Sequence, residues 1–137
     1  MQFTSIRLIV RDVAGTVAFY ERVTGLEAQW SNDVFAEIVT SGGTVAIAGE
    51  PTVAPFAQGS AVPGDNRSAI VEFRVADVDG EYERLVDIVD EFVQPPTTLP
   101  WGNRSVLFRD PDGNLVNLYA PVTDDAIRRF DRGPMTS

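Results

Sequence analysis

The stretch "SIRLIVRDVAG" at positions 5–15 returns later in the chain as "IVEFRVADVDG" at 70–80. The alternating apolar residues Ile6, Leu8 and Val10 match Val71, Phe73 and Val75; Asp12-Val13 matches Asp77-Val78, and Gly15 matches Gly80. Alternation with period two describes a strand with one buried face, and an aspartate at its end is placed to cap a helix by accepting from the unpaired amides of the first turn. Each helix then carries an apolar stripe: Val13, Val17, Tyr20 and Val23 in the first copy, and Val78, Tyr82, Leu85, Val86 and Val89 in the second.

Three short strand candidates follow each helix. They are Glu27–Ser31, Asp33–Thr40 and Thr44–Gly49 in the first half, and Phe92–Gln94, Ser105–Arg109 and Leu115–Ala120 in the second. Gly42-Gly43 and Asp112-Gly113 sit at corresponding hairpin turns. "DPDGN" at 110–114 gathers the residue types that preset or permit turn dihedrals. The plan is therefore β-α-β-β-β twice. Short turns between the last three strands of each copy favour antiparallel pairing over a parallel βαβ fold. One helix per copy covers one sheet face and leaves the other to meet the second copy, a ligand or another subunit.

With 137 residues, 44% of them hydrophobic, the chain can bury a core. A formal charge of −9 disfavours nucleic acid as a partner and suits a cationic or neutral small-molecule ligand. The chain has no His, no Cys and no Lys; all basic residues are arginines. A zinc site lacks its usual nitrogen and sulfur ligands, and His-dependent nucleophilic pairs and a Schiff-base lysine are excluded. Carboxylates, tyrosines, arginines and backbone dipoles remain for chemistry, and a hard ion bound through oxygen is still allowed. There is no apolar run long enough to span a bilayer, and the N-terminal "MQFTSIRLIVRD" lacks a signal-peptide layout, so a cytoplasmic protein without membrane contact is expected.

The order of "IRLIVRDVAGTVAFYERVTGL" (6–26), "VEFRVADVDGEYERL" (71–85) and "PWGNRSVLFRDPDGNLVNLY" (100–119) resembles the vicinal oxygen chelate superfamily, the group of glyoxalase I, bleomycin-resistance proteins and extradiol dioxygenases. The resemblance runs from Phe3 to about Val122. It implies an α+β fold: two tandem βαβββ modules in a curved, mostly antiparallel half-barrel sheet, with helices on the outer face. The expected division is one domain over 1–122, with module one at 1–49, a linker at 50–66 and module two at 67–122, followed by a C-terminal tail at 123–137. The tail should start a short helix capped at Thr123 and fray through Gly133-Pro134. Paired modules, within a chain or between chains, also imply a homodimer.

The resemblance further implies where relatives hold a metal: here Ser5, Ile47, Ile70 and Asn117. The first and third are found by counting back seven from Asp12 and Asp77, the second and fourth by counting on four from Gly43 and Gly113. Two of these are aliphatic and two neutral, so neither metal nor other cofactor is expected. Asn117 can instead hydrogen-bond an uncharged ligand or satisfy a neighbouring group.

If Ile6, Leu8 and Val10 pack beneath the helix, then Ser5, Arg7 and Ile9 face the cavity, as do Ile70, Glu72 and Arg74, and Leu115, Asn117 and Tyr119. Arg7 and Glu72 are repeat-equivalent and opposite in charge. They either pair with each other or anchor a polar ligand together with Arg74. Trp30, Phe35 and Trp101 are candidate aromatic walls, and Phe56 in the linker is a candidate cover. The function expected is metal-free binding of a drug-like or metabolite ligand, in the bleomycin-resistance manner. The alternative is a divergent lyase, isomerase or dioxygenase relative using carboxylates or an oxygen-ligated metal. Its acid or base would be Glu37, Glu72 or Tyr119.

Overall fold

A computed structural model describes residues 1–131. They fall into two compact units, one of Met1–Ala69 with Asp110–Asn114 and one of Ile70–Arg109 with the residues from Leu115 on. Each unit holds a four-stranded mixed sheet, and the fold is α+β as expected.

In the first unit the elements run β1 (Ser5–Ile9), α1 (Val13–Thr24), β2 (Gln29–Asn32), β3 (Phe35–Val39) and β4 (Thr44–Ala48). The sheet order is β1-β4-β3-β2; β1 pairs parallel with β4, and the other pairs are antiparallel. Asp12 caps α1 by accepting from the Gly15 amide at 2.9 Å. The repeated glycine has a steric cause: a Cβ at Gly15 would lie 2.2 Å from the capping carboxylate of Asp12. Gly25 ends the helix in the left-handed region (φ 73°), its amide donating to the Glu21 carbonyl. Val17, Tyr20 and Val23 are buried as the stripe required, and Thr16 and Phe19 are buried beside them. Opposite them Leu8, Ala36, Ile38, Val45 and Ile47 complete the core.

The second unit repeats the plan with β5 (Ile70–Arg74), α2 (Val78–Leu85), β6 (Phe92–Thr98), β7 (Asn103–Arg109) and β8 (Leu115–Pro121), in sheet order β5-β8-β7-β6. Asp77 caps α2 through the Gly80 amide at 3.2 Å, and a Cβ at Gly80 would again strike the cap, at 2.6 Å. This helix ends earlier than its stripe suggested: Val86 is its C-cap and 49% exposed, while Val89 is buried beyond the helix end. Tyr82, Phe92 and Phe108 form an edge-to-face aromatic row on this side of the sheet. A third helix, α3 (Asp124–Asp131), starts where Thr123 accepts from the Ala126 amide at 3.2 Å. The fraying expected at Gly133-Pro134 lies outside the described residues.

The linker belongs to the first unit and so does the DPDGN turn, although that turn joins two strands of the second. Asp110 is buried and accepts from the Asp112 and Asn114 amides, the Asn114 side chain and the Tyr20 hydroxyl, the last at 2.7 Å. Asp112 accepts from the amides of Arg11 and Gly64, and Asn114 from the Asn66 side chain. The aspartates of the turn thus satisfy backbone amides and a buried phenol. Burial, then the Asp110 carboxylate, pushes the Tyr20 phenol well above its usual range. Among the described residues no helix is long and apolar enough to cross a membrane.

Candidate functional site

Each sheet has one face under its helix and one open face, and strand register assigns every side chain to one of them. In the second unit Val71, Val106, Phe108, Val116 and Leu118 are buried on the helix face. Arg104, of the same parity, reaches Asp79 of α2 at 2.7 Å. The opposite parity places Ile70, Glu72 and Arg74 beside Leu115, Asn117 and Tyr119, residue for residue.

Asn117 lies on the inner strand β8, in register with Glu72 on one side and Leu107 on the other. Its Nδ2 donates to Glu72 Oε2 at 2.8 Å. That contact fixes the amide orientation, because an amide oxygen turned toward a carboxylate would find no proton. Asn117 Oδ1 is buried with no partner among the described residues. Arg74 is ion-paired with Asp131 of α3 at 2.8 Å, and the Tyr119 ring packs against Phe130 with centroids 5.5 Å apart. The tail, read from sequence only as a capped helix start, thus supplies two side chains to this face.

In the first unit the open face carries Ser5, Arg7 and Ile9, paired with Thr44, Ala46 and Ala48, and then Phe35, Glu37 and Val39. The Arg7 guanidinium lies over two rings, Phe35 at 4.9 Å and Phe56 at 5.3 Å. Phe56, 73% exposed, comes from the linker, so one linker aromatic does reach a predicted site residue.

Two expectations require correction. Ile47 does not share a face with Ser5 and Arg7; it pairs with Leu8 and Ala36 and is fully buried under α1. The position matching Asn117 is Ala46, since Arg7 pairs with Ala46 as Glu72 pairs with Asn117. The cause is turn length. Four residues, 40–43, separate the paired ends Val39 and Thr44, whereas five, 110–114, separate Arg109 and Leu115. Counting from the glycine slipped the first half by one residue, and a slip of one inverts the face. Counting from the first strand residue would have avoided the error.

Trp30 is the second correction. It pairs with Ala36, which puts it on the helix side of an edge strand, in a shallow hollow with Ala14, Ser31, Asn32 and Asp33. It does not wall the open face of its sheet. Trp101 is 55% exposed in the turn between β6 and β7 and belongs to neither sheet face.

The family model of the Glyoxalase/Bleomycin resistance protein/Dioxygenase superfamily matches residues 2–118. The chain belongs to this superfamily. It is 30% identical over 128 residues to the uncharacterized protein YraH of Bacillus subtilis, covering 87% of this chain and 98% of the relative. Among solved structures, a superfamily member from Sphaerobacter thermophilus is 26% identical with a TM-score of 0.67, covering 88% of this chain and 97% of that one. A family enzyme from Burkholderia phytofirmans PsJN reaches a TM-score of 0.78 at 16% identity, over 89% of this chain and 100% of the other; it shares the fold.

Superfamily membership raises the question of a metal, and the donor chemistry answers it unit by unit. In the first unit the matching positions are a serine hydroxyl and the methyl of Ala46; in the second they are the hydrocarbon of Ile70 and the amide of Asn117, whose nitrogen is committed to Glu72. Neither pair offers an imidazole, a thiolate or a carboxylate, the groups that hold transition metals. Among the described residues no three Asp or Glu side chains are gathered closely enough to hold an ion. The residues present do not fit the metal that the superfamily implies.

Proposed function

We propose that this chain is a small-molecule binding protein of the bleomycin-resistance-like type, working without a transition metal. A drug-like or metabolite ligand is held against an open sheet face by hydrogen bonds and by aromatic rings, those of Phe35 and Phe56 in the first unit or that of Tyr119 in the second. The observation that carries this reading is the state of Asn117. A side chain at the superfamily's metal position is turned into a hydrogen-bonding group, with one half of its amide occupied by Glu72 and the other half unused among the described residues. Recognition by a few placed polar groups among apolar surfaces is how small-molecule sites work. The acidic balance of the chain favours a cationic ligand.

The test is to incubate the purified protein with a metabolite extract, remove unbound material, denature, and identify what is released by mass spectrometry. The reading expects one small organic compound in amounts approaching one per chain. Recovery of no compound above the level of an unrelated acidic protein contradicts it. We also propose a homodimer, since each sheet leaves one face without a helix and ends in a strand, β1 or β5, with one side unpaired inside its own unit. Sedimentation at micromolar concentration showing only a 14.9 kDa species contradicts that.

A further inference from the structure

The open face of the second unit has an electrostatic signature of its own. On β5 and β8 three charged or polar side chains stand there in register, Glu72, Arg74 and Asn117, and β7 adds Arg109 opposite Leu115 and Ser105 opposite Tyr119. The cation nearest Glu72 along β5, Arg74, is ion-paired with Asp131 of α3 at 2.8 Å. Glu72 takes part in no ion pair among the described residues; its one hydrogen bond there comes from a neutral amide. The Glu72 carboxylate therefore has no cationic partner of its own among the described residues. Beside it, Asn117 is 9% exposed, and its Oδ1 is an acceptor without a donor among the described residues. Leaving a buried acceptor empty is unfavourable, so a group that brings N–H donors to it is drawn in on two counts. Ile70 and Leu115 flank the pair on one side, and Tyr119 on the other.

We propose that Glu72 and Asn117 form a subsite for an organic cation rich in N–H donors, a primary ammonium or a guanidinium. One N–H goes to the Glu72 carboxylate and another to Asn117 Oδ1, while the hydrocarbon of the ligand lies along Ile70, Leu115 and Tyr119. This rests on the binding-protein reading and adds the ligand class. An ammonium group, with three donors and a positive charge, matches two adjacent acceptors of which one is ionised. A neutral alcohol lacks the charge, and a carboxylate is repelled. Because Oδ1 is shielded from solvent, its side chain must shift to admit the ligand. α3 is placed to influence that step, since Phe130 and Asp131 hold Tyr119 and Arg74 on the same face.

The experiment titrates benzylammonium, benzyl alcohol and benzoate into the full chain while following the Asn117 side-chain amide by NMR. Benzylammonium is expected to shift that amide saturably, with benzyl alcohol at least about tenfold weaker and benzoate silent. Glu72→Gln keeps an oxygen for the Asn117 amide and sits on an exposed strand position, so it should fold and yet weaken benzylammonium about tenfold or more. Asp131→Asn frees Arg74 beside the subsite and should also weaken benzylammonium, with the effect shrinking as salt is added. No saturable shift with benzylammonium overturns the proposal. Equal affinity for benzylammonium and benzyl alcohol, unchanged in Glu72→Gln, also overturns the ammonium subsite while leaving the binding-protein reading in place. Stoichiometric transition metal in the purified protein would instead remove that reading itself.

Discussion

The two units share one plan and carry opposite chemistry at the same place. Arg7 and Glu72 occupy equivalent positions on β1 and β5. The first pairs in register with Ala46, which offers nothing to bond, and lies over two rings; the second pairs with Asn117 and bonds it. The duplicated scaffold therefore fixes where a side chain points but not what it does there. The turns differ in the same spirit. The Thr40 hydroxyl organises the first through the carbonyl of Gly43 and the amides of Gly42 and Gly43, whereas a buried carboxylate tied to Tyr20 organises the second.

The sharpest way to break this comparison is at the register. Ile47 and Ile70 were both metal-position candidates, yet one is fully buried and the other 49% exposed. Ile47→Ala should cost about 2–5 kcal/mol in denaturant unfolding, and Ile70→Ala less than about 1 kcal/mol. Equal losses would mean that the faces are misassigned.

The turns come next. Asp110→Ala removes the acceptor of a phenol, two amides and an asparagine side chain, and should cost about 3 kcal/mol or more. Thr40→Ala, in the solvated turn, should cost about 1 kcal/mol. If the two variants unfold at the same denaturant concentration, the second turn is not the stronger anchor.

Tyr20→Phe sharpens the same point, with an expected loss of about 1–3 kcal/mol at neutral pH. It also has a pH signature. The Tyr20 phenol titrates higher in the folded than in the unfolded chain, where tyrosine titrates near 10. Its contribution is complete below about pH 10 and is lost as pH rises from there through the folded value, because the unfolded state then binds fewer protons than the native state. Wild-type stability should fall above about pH 10, and the part of the slope due to Tyr20 should vanish in Tyr20→Phe. A parallel pH profile for the two proteins would contradict the burial of that hydroxyl.

The smallest effect is expected at Arg7. Phe56→Ala removes one of its two rings from an exposed position, which should cost about 0.5–1 kcal/mol. Arg7→Gln in the Phe56→Ala background should then lose less than Arg7→Gln alone, a coupling measurable by a double-mutant cycle.

Most of the fold was legible because its determinants are local: strand alternation, Asp caps with their steric glycine, and hairpin turns. The face on which Asn117 lies was legible too, since "DPDGN" fixes where β8 starts. The first-half position was misread because the two turns differ in length by one residue, a property of pairing that glycine counting does not carry. Trp30 was misassigned because composition marks an aromatic as useful without giving its parity. The tail's part in the second unit was missed because Arg74 and Asp131 are far apart in sequence and no periodic signal links either that pair or Tyr119 with Phe130.

The central claim is that hydrogen bonding, rather than a transition metal, occupies the chemistry of this site. Elemental analysis of the wild-type protein, saturated with zinc, nickel and iron in turn and then dialysed, tests it most directly. The account predicts well under one bound ion per chain for each metal and no rise in melting temperature on adding it. One tightly held ion per chain, with a matching rise in melting temperature, would contradict the account.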